Sequence, residues 1–150
     1  RRWWKQKLKS WGLGIAALLG RRGCQHSACL PFLLQAQSQQ IQGLIATHTL
    51  AELYSVLTRI PKTKISPAVA QNLIRDNLQT FETVSLTAED YTAAIDLMVQ
   101  RQLPGGGIFD ALIAQAVLKS QADVLLTLNP KHFTRLGSEI AYKVQVPQWY

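Results

Sequence analysis

Two carboxylates and two neutral oxygen-bearing side chains recur at places where a chain can gather a site. Glu52 follows the short apolar run Gly43-Leu44-Ile45-Ala46, and Asp110 follows three glycines, Gly105 to Gly107. Thr127 and Asn129 close the apolar run that begins near Asp123. Two carboxylates with neutral oxygen donors suit a hard divalent cation such as Mg²⁺. Like charges brought together raise each other's pKa, so such a cluster stays ionised only with a cation beside it. The chemistry this would serve is metal-assisted phosphodiester hydrolysis, in which the ion activates water and offsets charge building on the phosphate. Each residue also has a structural explanation. Thr49 and Glu52 read as a capping box. Asp110 complements a helix dipole, and Asn129-Pro130 opens a turn. His48 and His132 read as structural or surface groups, since neither has a partner at metal-ligand spacing.

The elements that must position these residues alternate between strand and helix. Leu30 to Gln37 suits a helix within Cys29–Gln40, and Gly43–Ala46 a buried strand. Leu50, Leu53, Tyr54, Leu57 and Ile60 continue at helical spacing until Pro61. Ser66-Pro67 opens another helix, with Ser as cap and Pro in the first turn. Glu82–Leu86 alternates like a strand, and Thr87 to Asp90 caps a helix reaching Arg101. Ile108–Ser120 is expected as a helix, Asp123–Leu128 as an apolar strand and Tyr142–Val146 as a last short strand. Continuous apolar strands alternating with helices imply an α/β fold, a parallel sheet covered on both faces. In such sheets the functional crevice lies at the carboxyl ends of the strands, where Glu52, Asp110, Thr127 and Asn129 fall.

Three segments carry a family resemblance: THTLAELYSVLTRIP (residues 47–61), GGGIFDALIAQA (105–116) and ADVLLTLNPKHF (122–133). In this order they resemble PIN-domain proteins, in particular the toxin ribonucleases of VapC-type toxin–antitoxin pairs. The resemblance implies a three-layer α/β/α sandwich and endoribonuclease activity dependent on Mg²⁺ or Mn²⁺. It also implies a cognate antitoxin as partner, RNA as substrate and a homodimer. Glu52 falls on the family's second acidic position, Asp110 on the third, and Thr127 with Asn129 on the last. The family's first strand ends in Asp, in a phrase like Leu-Asp-Thr-Ser-Val-Leu-Val-Ala-Ala-Leu-Leu. Here KSWGLGIAALL places Ser10 at that Asp, and no acidic residue precedes Glu52. The first strand is thus the element least expected. The site, short of a principal carboxylate, is expected to be weakened, or to belong to an inactive PIN fold that binds antitoxin or RNA.

Charge sets the N-terminus apart. Of 16 Lys and Arg residues, seven precede Gly23, and the remaining nine balance the nine Asp and Glu. The net charge of +7 therefore belongs to residues 1–22, a basic segment of aberrant or divergent origin ahead of a PIN-like domain at 23–150. Such a segment can bind phosphates. Export is disfavoured, because Arg21-Arg22 follow the apolar run Leu13–Leu19 at once and no small-residue cleavage site is clear. Cys24 and Cys29 match neither a disulfide framework nor a zinc pattern, which points to free thiols in a reducing cytoplasm. A chain of 150 residues can bury one domain's core, and no apolar run is long enough to span a bilayer.

Overall fold

The computed structural model describes residues 10–11, 31–59 and 65–147. The apolar run Leu13–Leu19, both cysteines, most of the basic segment and Pro61 lie outside the described residues.

Five short strands carry the sheet: β1 (Ser10–Trp11), β2 (Leu44–Ala46), β3 (Glu82–Val84), β4 (Leu125–Leu126) and β5 (Val144–Gln145). All pair in parallel. β1 joins β4 with Ser10 opposite Leu125, β4 joins β5, and β2 joins β3. β1 also lies beside β2, so the two hydrogen-bonded groups meet in the order β3-β2-β1-β4-β5. The first strand, the element least expected from its basic sequence, is thus present and central.

Seven helices cover the sheet among the described residues. They are α1 (residues 31–37), α2 (Thr47–Arg59), α3 (Pro67–Asn77), α4 (Ala88–Gln100), α5 (Gly107–Lys119), α6 (Pro130–Thr134) and α7 (Ser138–Ala141). Successive strand residues point to opposite faces, and the core divides accordingly. Leu44 and Leu125 join one cluster with Ala94, Met98, Ala111 and Phe133, from α4, α5 and α6. Ile45 and Leu126 join the other with Leu33, Ala36 and Leu53, from α1 and α2, against which Ile74 of α3 packs. Two apolar faces, each under its own helices, make the three-layer α/β/α sandwich.

Several local signals act as the sequence implies. Ser66 caps α3, its hydroxyl accepting the Val69 amide at 3.3 Å with Pro67 in the first turn. Thr87 and Asp90 form a reciprocal capping box on α4. The Thr49–Glu52 box does not form. β2 passes into α2 without a loop, so Thr49 already lies inside the helix, fully buried, with its hydroxyl unpartnered among the described residues. The predicted strand Asp123–Leu128 contracts to Leu125–Leu126. At its start the Ala122 amide turns back to the Val117 carbonyl, and at its end Thr127 enters a turn.

Candidate active site

Glu52 and Asp110 come together at the carboxyl end of the sheet. β2 delivers α2, whose second turn carries Glu52. The tight loop before α5 delivers Asp110 in that helix's first turn. Gly105 supplies the loop's left-handed backbone, at φ 71°. Gly107 is glycine for a different reason. A Cβ there would meet the Arg135 guanidinium at 2.9 Å and the Met98 methyl at 3.0 Å. Asp110 is only 5% exposed. Burial is the main cause pushing its carboxyl above the usual range, partly opposed by His132 and Arg135. Burial also raises Glu52, and the Asp110 charge adds to that rise. One buried Glu52 oxygen, Oε1, has no hydrogen-bond partner among the described residues. Two carboxylates therefore share a partly desolvated corner without enough compensating charge.

The two histidines read as bystanders in the sequence both touch this corner. His48 Nε2 lies 3.5 Å from Glu52 Oε1, one helical turn before it on α2. Burial holds the His48 imidazole below its ordinary pKa, with the Phe109 backbone partly opposing. Its ring stacks on Phe109, centroids 6.5 Å apart and planes at 26°. His132 Nδ1 lies 3.3 Å from Asp110 Oδ2. Arg135 Nε donates to the His132 carbonyl at 3.3 Å, which turns its guanidinium over Gly107. The His48–Glu52 spacing of four along a helix was readable in the sequence. The His132–Asp110 approach depends on how α6 packs on α5 and has no local signature.

Thr127 and Asn129 lie between β4 and α6. The buried Thr127 hydroxyl accepts the Asn129 amide at 3.0 Å, and its own amide continues the sheet to the Gln145 carbonyl at 3.1 Å. Asn129 is exposed and begins α6 without a side-chain cap. Among the described residues neither side chain hydrogen-bonds a carboxylate. Their visible work is to bend the chain from β4 into α6, the helix that carries His132 to Asp110.

Among the described residues no group of three or more His, Cys, Asp or Glu side chains forms a cage for a metal ion. Glu52 and Asp110 nonetheless fit a hard divalent ion as two of its oxygen ligands: both resist ionisation, and one buried oxygen has no hydrogen-bond partner among the described residues.

A parallel sheet under helices on both faces, with carboxylates gathered where its strands end, defines a class. The PIN domain family model matches residues 15–138, and the chain belongs to that family. Over 84 residues it is 29% identical to Ribonuclease VapC27 of Mycobacterium tuberculosis, a match covering 55% of this chain. The chain spans 60% of that relative's length. The fold is also similar to a chain of the crystal structure of VapBC2 from Rickettsia felis bound to a DNA fragment from their promoter. That similarity has a TM-score of 0.61 at 21% identity, over 93% of this chain and 98% of the other.

Proposed function

We propose that the chain is a divalent-metal-dependent endoribonuclease of the VapC toxin type, working with one carboxylate fewer than its family. The carrying observation is the Glu52–Asp110 pair, two carboxylates pushed up in pKa by burial where the strands end. A fold should not place such a pair there without a cation to hold. Glu52 and Asp110 would bind Mg²⁺ or Mn²⁺, which when bound supplies an activated water and offsets charge on the phosphate. Thr127 and Asn129 would line the far side with neutral oxygens. Gly105 and Gly106, where a Cβ would meet nothing within 4 Å among the described residues, leave room for an RNA phosphate to approach. The similarity to VapC27, which is named a ribonuclease, supports this reading. The VapBC2 complex supports a cognate antitoxin as partner, and a homodimer in the cytoplasm belongs to the same proposal. No helix among the described residues is long and apolar enough to cross a membrane.

A second reading has its own observation. By the family resemblance Ser10, on β1, takes the position of the first Asp, and Asp110 already faces two basic groups, His132 and Arg135. A PIN fold balanced in this way could bind RNA or antitoxin without cutting. Calorimetry with Mn²⁺ and cleavage of varied RNAs separate the two. The nuclease reading expects weak Mn²⁺ binding, lost in Asp110→Ala and in Glu52→Ala. It also expects cleavage that rises in Ser10→Asp and vanishes when Asp110→Asn is added. Tight binding that survives both alanine variants places the metal elsewhere. A folded Ser10→Asp protein that cuts nothing leaves the binding role as the better account.

A further inference from the structure

His48 is a buried side chain beside the carboxylate pair that the pair's chemistry leaves unused. It lies in the first turn of α2, and its side chain is only 8% exposed. The Phe109 backbone lies near, yet neither ring nitrogen makes a hydrogen bond among the described residues, and neither does Glu52 Oε1. His48 Nε2 and Glu52 Oε1 nevertheless stand 3.5 Å apart. That is too long for a hydrogen bond and too short for a bridging water, whose two partners would lie about 4.6 Å apart. It is close to the roughly 3.4 Å between an imidazole nitrogen and a carboxylate oxygen on one tetrahedral ion. Residues four apart on a helix share a face, and helices chelate metal ions through such pairs. The Phe109 ring stacks on the imidazole and steadies its plane. Phe109 also precedes Asp110, so the same contact ties this turn of α2 to the turn that carries the second carboxylate.

We propose that His48 is a metal ligand through Nε2, completing with Glu52 and Asp110 the set left short by the absent first Asp, and that its nitrogen turns the site from Mg²⁺ toward divalent transition ions such as Co²⁺ and Mn²⁺. The inference rests on the reading of Glu52 and Asp110 as ion-binding residues and adds to it a third ligand and the class of ion. Imidazole suits the first-row transition ions, whereas carboxylate, carbonyl and water suit Mg²⁺. His48 and Glu52 on one helix form a two-point chelate before any ion arrives. Among the described residues no three such groups are already gathered, so the Asp110 contact forms with the ion. His132 is left out of the set, because its side chain is 51% exposed and water competes there.

The test uses the untagged full chain, which has three histidines, His26, His48 and His132. In a variant carrying His26→Ala and His132→Ala together, His48 is the remaining imidazole. Pulsed EPR of that variant loaded with Mn²⁺ should show the nitrogen modulation of a bound imidazole, and Mn²⁺ held without it overturns the proposal. Calorimetry with Co²⁺ and with Mg²⁺ reads the selectivity. The wild-type chain should bind Co²⁺ more tightly than Mg²⁺. His48→Ala should weaken Co²⁺ binding about tenfold or more, since even the outer partners of metal ligands are worth that much, and should change Mg²⁺ binding far less. His48→Gln separates a ligand from a mere hydrogen-bond donor to Glu52. Its amide can donate to the carboxylate but is a poor ligand for Co²⁺, so it should fall with the Ala variant. A Gln variant that keeps the Co²⁺ affinity overturns the proposal. Should the His48 variants not fold, the EPR experiment still decides, because His48 is intact in it. A chain that binds neither ion overturns this inference and the metal-dependent reading together. Co²⁺ binding that needs Glu52 and Asp110 but not His48 removes the third ligand and leaves the nuclease standing. Co²⁺ held through His48 in a chain that cuts no RNA does the reverse.

Discussion

Burial, and then the Asp110 charge, raise the Glu52 carboxyl above its ordinary range. A carboxylate whose pKa is raised by folding stays protonated in the native state where the unfolded chain would ionise. Protonation then favours folding, so the contribution of Glu52 and Asp110 to stability is best below the ordinary carboxylate range and declines as pH rises through it. Glu52→Gln keeps the shape and removes the charge. Without divalent ion it should melt higher than wild type at neutral pH, by roughly 2–4 °C for about 1 kcal/mol in a chain of this size. The gain should shrink toward about pH 4, where the wild-type carboxyl is protonated too. Thermal melts across pH in EDTA check this, and a variant that melts no higher at neutral pH counts against a strained pair. Such a trade of stability for a site is common where function needs clustered charge. Glu52 and Asp110 were legible as candidates because they follow strand-like and glycine-rich segments. His48, Phe109 and His132 were not, because a lone aromatic or imidazole takes its meaning only from what packs against it.

The helix starts show why some elements were readable and one was misread. Thr87 and Ser66 act through their own backbone within three residues, so the sequence contains the whole interaction. The Thr49–Glu52 spacing imitates a cap, but the start of α2 is decided by β2, which ends at Ala46 and leaves no loop for a cap to close. The two sites should therefore respond differently. Thr87→Ala should cost about 1 kcal/mol, as loss of an N-cap does. Thr49→Val, which exchanges a buried hydroxyl without a partner among the described residues for a methyl of the same shape, should be neutral or stabilising. Urea denaturation of both variants decides it, and a loss at Thr49 as large as at Thr87 would restore the cap. A third position tests the link between α6 and α7. Gly137 has φ 140°, and a Cβ there would come within 3.1 Å of the Arg101 guanidinium. Gly137→Ala should lower stability by about 1–3 kcal/mol. Strand lengths were the least legible feature: the apolar run around β4 says what is buried, whereas its two paired residues are set by neighbours distant in sequence.

The molecule as a whole is joined through its least promising strand. β1 sits between β2 and β4, although its sequence neighbours are basic and aromatic. Removing residues 1–9 takes away Arg1, Arg2, Lys5, Lys7 and Lys9 and leaves β1. That truncation should weaken RNA binding and flatten its salt dependence, by about 0.7 in logarithmic slope for each phosphate of a single strand that is no longer neutralised. Cooperative unfolding should survive. Removing residues 1–11 takes β1 as well, uncovers the edges of β2 and β4, and should abolish the cooperative melt. Circular dichroism and RNA titrations at several salt concentrations test both, and a sharp melt without β1 would show that the strand is dispensable. The same pairing governs how the protein is made. Ser10 meets Leu125, so the middle strand leaves the ribosome more than a hundred residues before its partner. At about 5–20 residues per second, that is a wait of roughly 5–20 seconds with strand edges unpaired. Asp110 can be synthesised, but the turn that brings His132 beside it cannot form until β4 is laid down. A nascent chain of this design carries its candidate nuclease centre unassembled until the residues through His132 have been translated.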